Sequence, residues 1–192
     1  MVIEWRRWPA YERDRRTLAV HEAAHLVVGI ATHTWREDRR AVVSDTSGCV
    51  EPVAPQPLPT RTLAEALAPV AEPIDPSLQR LALQHAATML AGYAAEARLH
   101  GFAHEITGPP SAITGTPDDC MARVYLRFAW PDERIRPMWR AWRLADDLVS
   151  EHWGWICAVA AVIARHGACD TAQALRLQVS TPGTSPRQHR AA

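Results

Sequence analysis

One group of side chains in this sequence has the types and spacing to do chemistry: His21, Glu22 and His25, in the order H-E-A-A-H, within LAVHEAAHLVVGIA from Leu18 to Ala31. If the run is helical, residues four apart lie one above the other on one face, so both imidazoles can ligate a single zinc ion. Glu22 is then placed to work on a zinc-bound water. The flanks sharpen this reading, because these three are the only ionisable groups in an otherwise apolar run. Apolar residues on every side mark a buried helix, and burying two imidazoles and a carboxylate is costly unless something satisfies them. A chain of this composition contains an accidental H-E-x-x-H roughly 0.02 times. The structural alternative is a pair of core histidines bonded to backbone or carboxylate.

A catalytic zinc takes three protein ligands and keeps one position open, so two histidines leave the site incomplete. His33, His85, His100 and His104 offer the right atoms, but no spacing marks any of them. Asp118 and Asp119 are better candidates, although acids in the first turn of a helix are also favoured by its dipole with no metal present. Spacing alone leaves the third ligand open.

Several elements must position these groups. A helix is expected from about Pro9 through the zinc motif to about Thr32. Arg40 to Asp45 and Cys49 to Val53 read as two short strands around Thr46-Ser47-Gly48, a β-hairpin. Pro52, Pro55, Pro57 and Pro59 then give a stiff loop. A short amphipathic helix is expected over Thr60 to Ala71 and a longer one over Pro76 to His100, both as walls of the core. Gly101 to Gly115 reads as loop, and Thr116 caps a helix running to about Trp130, with Pro117 in its first turn. Pro131 opens a further helical segment interrupted near Pro137, followed by helices over Ile156 to His166 and Asp170 to Gln178. Five of the eight tryptophans fall between Trp130 and Trp155 and are expected to pack these helices together.

The length of 192 residues suits one domain over 1–180 with a disordered tail over 181–192. Basic and acidic residues balance at 21 each, so no net field favours nucleic acid or an anionic membrane. Every basic residue is Arg, and Lys and Asn are absent. Four cysteines without C-x-x-C spacing suggest reduced thiols. The longest apolar run, Trp153 to Ala164, is too short to span a bilayer, and the N-terminus lacks the apolar core of a secretory signal. A cytoplasmic protein with no membrane partner is the expectation.

Three segments, taken in order, resemble the peptidase domain of FtsH, the ATP-dependent zinc protease. HEAAH (His21 to His25) is similar to that family's HEAGH, GYAAEARLHG (Gly92 to Gly101) to its G-R-A-A-E-E segment, and TGTPDD (Thr114 to Asp119) to its T-G-A-x-N-D. The resemblance covers about Thr17 to Gln178. It implies a mainly α, α+β zinc-metallopeptidase domain with a small β-hairpin. It also implies that His21, His25 and Asp119 hold Zn2+, that Glu22 is the catalytic base, and that Glu96 bonds to a ligand histidine. Ala24, Tyr93, Ala97 and Asp118 depart from the family pattern without removing a ligand or the base.

The sequence has no G-x-x-x-x-G-K-[ST] loop and no membrane segment, so the reading is of an ATP-independent metalloendopeptidase acting on unfolded or flexible protein or peptide. A homo-oligomer or a separate unfoldase would be its partner. The alternatives are a regulatory metallopeptidase of the ImmA/IrrE type, which shares H-E-x-x-H, and a non-catalytic zinc-binding interaction module.

Overall fold

Helix α1, Arg15–Ala31, is the element around which the others are arranged. The computed structural model describes residues 14–35, 38–53, 76–101, 109, 113–131 and 136–180. Asp14 caps α1 by accepting from the backbone N–H of Thr17 at 2.7 Å, so the helix starts there, and residues 9–13, where the sequence suggested a start, lie outside the described residues. Every residue from Thr17 to Gly29 is buried. A helix without a polar face can be satisfied only by neighbours on all sides, and α1 has them in two helices and a sheet.

The first neighbour is α2, Pro76–Leu99, whose buried face carries Ala86, Ala87, Ala91, Gly92, Ala94 and Ala95. Side chains this small let two helix backbones approach closely. Helix α3, Pro117–Ala129, opens as the sequence predicts: the Thr116 side chain accepts from Asp119 N–H, and Pro117 occupies the first turn. Helix α4, Arg136–Glu151, and α5, Trp153–His166, meet at 79°. A break falls at His152; Pro137 sits in the first turn of α4, where proline removes only an N–H that has no helical partner anyway, and residues 132–135 before it lie outside the described residues. Gly167, at φ +80°, ends α5, and the Asp170–Gln173 capping box starts α6, Thr171–Val179.

Strands β1, Arg39–Val43, and β2, Gly48–Pro52, form the expected antiparallel hairpin, with Ala41 opposite Val50 and a turn closed by Ser44 N–H to Ser47 C=O at 2.8 Å. A third strand, β3, Ala168–Asp170, was not foreseen. It pairs antiparallel with β1, giving the order β2-β1-β3, with β2 at an edge among the described residues.

The described part of the chain is therefore mainly helical with a small three-stranded antiparallel sheet. Trp142 and Trp155 are buried in the core, the latter donating its indole N–H to Ala174 C=O at 2.7 Å. Among the described residues no single helix is long and apolar enough to cross a membrane. The helix expected over 60–71, Pro55, Pro57, Pro59, His104 and the tail 181–192 lie outside the described residues.

Candidate metal centre

The two histidines of α1 project from successive turns and bring their Nε2 atoms to 3.0 Å of each other. Asp118, in the first turn of α3, adds Oδ2 at 3.2 Å from His21 Nε2 and 3.4 Å from His25 Nε2. Among the described residues, His21, His25 and Asp118 form the group able to hold a metal ion, with their ligand atoms all within 4.8 Å of one another.

Helix α2 fixes both rings from behind, through a stripe of residues spaced by four. Thr88 C=O accepts from His25 Nδ1 at 2.7 Å, and Glu96 Oε1 accepts from His21 Nδ1 at 2.6 Å. A carbonyl can only accept, so His25 carries its proton on Nδ1, and the carboxylate imposes the same on His21. In a neutral ring each Nε2 then presents a lone pair to the centre. Between these two positions Gly92 makes room, since a Cβ there would stand 2.5 Å from Nε2 and Cε1 of His21.

Three acceptors aimed at one point require a cation between them. A proton is one such cation: burial pulls the His21 ring down, but its hydrogen bonds to Asp118 and Glu96 outweigh this and raise it to about 9. His25 is also raised; burial lowers it, and the Asp118 charge more than offsets that. Asp118 in turn is held well below the ordinary carboxylate range, burial being outweighed by the two imidazoles. A divalent metal is the other cation. Zinc bonds of about 2.0–2.1 Å at tetrahedral angles put neighbouring ligand atoms about 3.3 Å apart. The observed 3.0, 3.2 and 3.4 Å fit that spacing, as do the donor types.

Asp119, the expected third ligand, is not part of this group. Its Oδ2 accepts from Gly115 N–H at 2.9 Å and from Arg123 Nε at 2.8 Å, and its side chain is 1% exposed, whereas that of Asp118 is 27% exposed. The structure thus brings Asp118 to the histidines, one residue from the expectation. Glu96 bonds to His21, one of the two motif histidines. Of the other histidines considered, His85 stacks on Tyr125 at 4.7 Å and His100 Nε2 lies 3.3 Å from Thr17 Oγ1; neither they nor His33 joins the group.

Glu22 is buried beside the histidines. The first residue of β2 rests against it: a Cβ on Gly48 would stand 2.6 Å from Glu22 Oε1. The edge of the sheet therefore passes directly over this carboxylate. Thr88, Gly92 and Gly48 are the contributors that sequence reasoning did not assign, while Asp118 was a candidate by spacing that the family resemblance passed over for Asp119. The spacing of Thr88, Gly92 and Glu96, one helical stripe, was the available signal for the first two. No known family model matches the chain, and no curated protein is a significant match.

Proposed function

We propose that this chain is a zinc-dependent metalloendopeptidase, similar to the FtsH peptidase, that hydrolyses peptide bonds of unfolded or flexible substrates. The observation that carries the reading is the convergence of His21 Nε2, His25 Nε2 and Asp118 Oδ2, with both Nδ1 atoms occupied from α2 and Glu22 alongside. His21, His25 and Asp118 would hold the zinc, and the ion when bound supplies Lewis acidity toward a scissile carbonyl and a water of lowered pKa. Glu22 accepts the proton of the attacking water and returns it to the leaving amine nitrogen. Gly48 leaves that carboxylate room.

Strand β2 supports a peptide over other substrates. It lies at the edge of the sheet, and an extended segment can hydrogen bond to such an edge while running past Glu22. A folded domain offers an extended segment only by opening locally, which restricts the substrate to flexible chains. A site kept for stability alone would have no use for a carboxylate in the position of Glu22.

The test combines metal analysis with cleavage of an unfolded casein-like substrate, using Glu22→Gln as control. About one zinc per chain is expected, with cleavage abolished and zinc retained in the variant. Protein purified without metal and unable to take it up would overturn the site. Bound zinc with no hydrolysis of any flexible substrate would overturn the peptidase.

A further inference from the structure

Helix α4 buries Met138, Ala141, Trp142, Ala145 and Val149 against the body of the protein. Its opposite face is exposed and carries Arg136, Arg140, Arg143, Asp147 and Glu151. With 3.6 residues per turn these five fall within about 80° of one another, a single stripe about 22 Å long. Charge on a solvent face is ordinary. The order of the signs is not: three cations occupy the N-terminal half and two anions the C-terminal half.

Most of this order works against the helix itself, the Arg143–Asp147 pair at i,i+4 being the exception. Cations near the N-terminus and anions near the C-terminus both oppose the helix dipole. Arg136 and Arg140 repel at i,i+4, as do Asp147 and Glu151. Among the described residues no ion pair is made by Arg136, Arg143, Asp147 or Glu151. Arg140 stacks over Trp130 at 5.6 Å.

The stripe is, however, complementary to its own reverse. We propose that it forms the interface of a two-fold symmetric dimer in which α4 lies antiparallel against α4 of a second copy of this chain. With the axis beside Arg143, Arg136 faces Glu151 of the second copy and Arg140 faces Asp147. One register satisfies both pairs, because 136 and 151 have the same midpoint as 140 and 147. The symmetry repeats them; Arg143 lies beside the axis near its own symmetry mate, the one like-charge contact of the register, and can turn from it to the second copy's Asp147, about 4.5 Å further along the helix. Antiparallel helices also set their dipoles head to tail, so the sign order that is unfavourable in one copy becomes favourable in two. A nucleic acid or an anionic membrane does not fit the whole stripe, since Asp147 and Glu151 would repel it.

The experiment is sedimentation equilibrium of the full chain, with circular dichroism to confirm that each variant is folded. The wild-type protein should dimerise at about 0.05 M salt and dissociate at least about tenfold more readily at about 0.5 M, where exposed pairs are screened. Arg140→Glu and Asp147→Arg should each weaken the dimer at least about tenfold, because each sets like charges opposite one another twice. An equimolar mixture of the two variants should recover association as a heterodimer, since opposite charges then face each other at both positions. A wild-type monomer at low salt would overturn the proposal. So would a dimer that survives both reversals, or a mixture that stays monomeric. None of these outcomes depends on metal or on peptidase activity.

Discussion

Glu96 and His21 are 75 residues apart in sequence, yet Oε1 of one lies 2.6 Å from Nδ1 of the other, and the Glu96 side chain is 0% exposed. A buried carboxylate without a cationic or donating partner is strongly disfavoured, so the contact constrains both groups. Glu96→Gln keeps the shape but removes the charge that fixes the ring and raises its basicity. Zinc affinity is expected to fall about 10- to 100-fold while the fold persists. Competition with a chromophoric chelator measures this, and unchanged affinity would show that Glu96 only fills space.

The two glycines that touch the site should fail differently. At Gly92 an added methyl meets the His21 ring, which is held on both sides; Gly92→Ala should lose metal and about 1–3 kcal/mol of stability through overpacking. At Gly48 the methyl meets Cγ and Oε1 of Glu22, so the carboxylate has to move. Gly48→Ala should therefore keep zinc and fold but lose turnover. Metal content and denaturant midpoints of the two variants separate these outcomes.

Asp118 and Asp119 should divide their work in the same manner. Asp118→Ala removes a carboxylate from both imidazoles and should weaken zinc binding sharply with little effect on folding. Asp119→Ala leaves the Gly115 N–H and the Arg123 guanidinium without their acceptor, at a cost of about 1–3 kcal/mol. Its effect on metal should be the smaller of the two. If Asp119→Ala instead abolishes zinc binding in a protein that still melts normally, Asp119 is the ligand.

Acid and alkali should act oppositely on the loaded and metal-free protein. Without metal, His21 is raised from 6.5 to about 9, burial being outweighed by its bonds to Asp118 and Glu96. A folded-state pKa above the unfolded value means that this contribution to stability is complete below about pH 6.5 and is lost as pH rises through about 9. With zinc bound the imidazoles must be unprotonated, so acidification releases the metal and its stabilisation. Thermal melts at about pH 6 and about pH 9.5, with chelator or with zinc, should show the two trends with opposite slope.

Much of this arrangement was legible in the sequence because the signals were periodic. The i,i+4 histidines in an apolar run identify α1 and its centre, and a Thr-Ser-Gly turn between β-branched pieces identifies the hairpin. What escaped had no period to betray it. Strand β3 is three residues long and buries only Cys169, too little to alternate visibly. The choice between Asp118 and Asp119 depends on which of two adjacent acids faces α1 at the entry to α3, and neighbours in a first turn have the same propensity there. One clue was present: Arg123, four residues after Asp119, is spaced to claim that acid for itself. The break between α4 and α5 falls at His152, a few residues before the boundary expected after Trp155.

The order of the chain sets when the centre can form. HEAAH is complete as soon as α1 exists, but α1 by itself has neither the carboxylate 75 residues later nor the one 97 residues later. The hairpin that touches Glu22 is braced by β3, which begins only at Ala168. Contacts so distant along the chain are made slowly and together, after the local helices. The group proposed to hold zinc is therefore assembled only when α2 and α3 dock on α1: a chain emerging from synthesis must extend 97 residues past His21 before the carboxylate of Asp118 can join the two imidazoles.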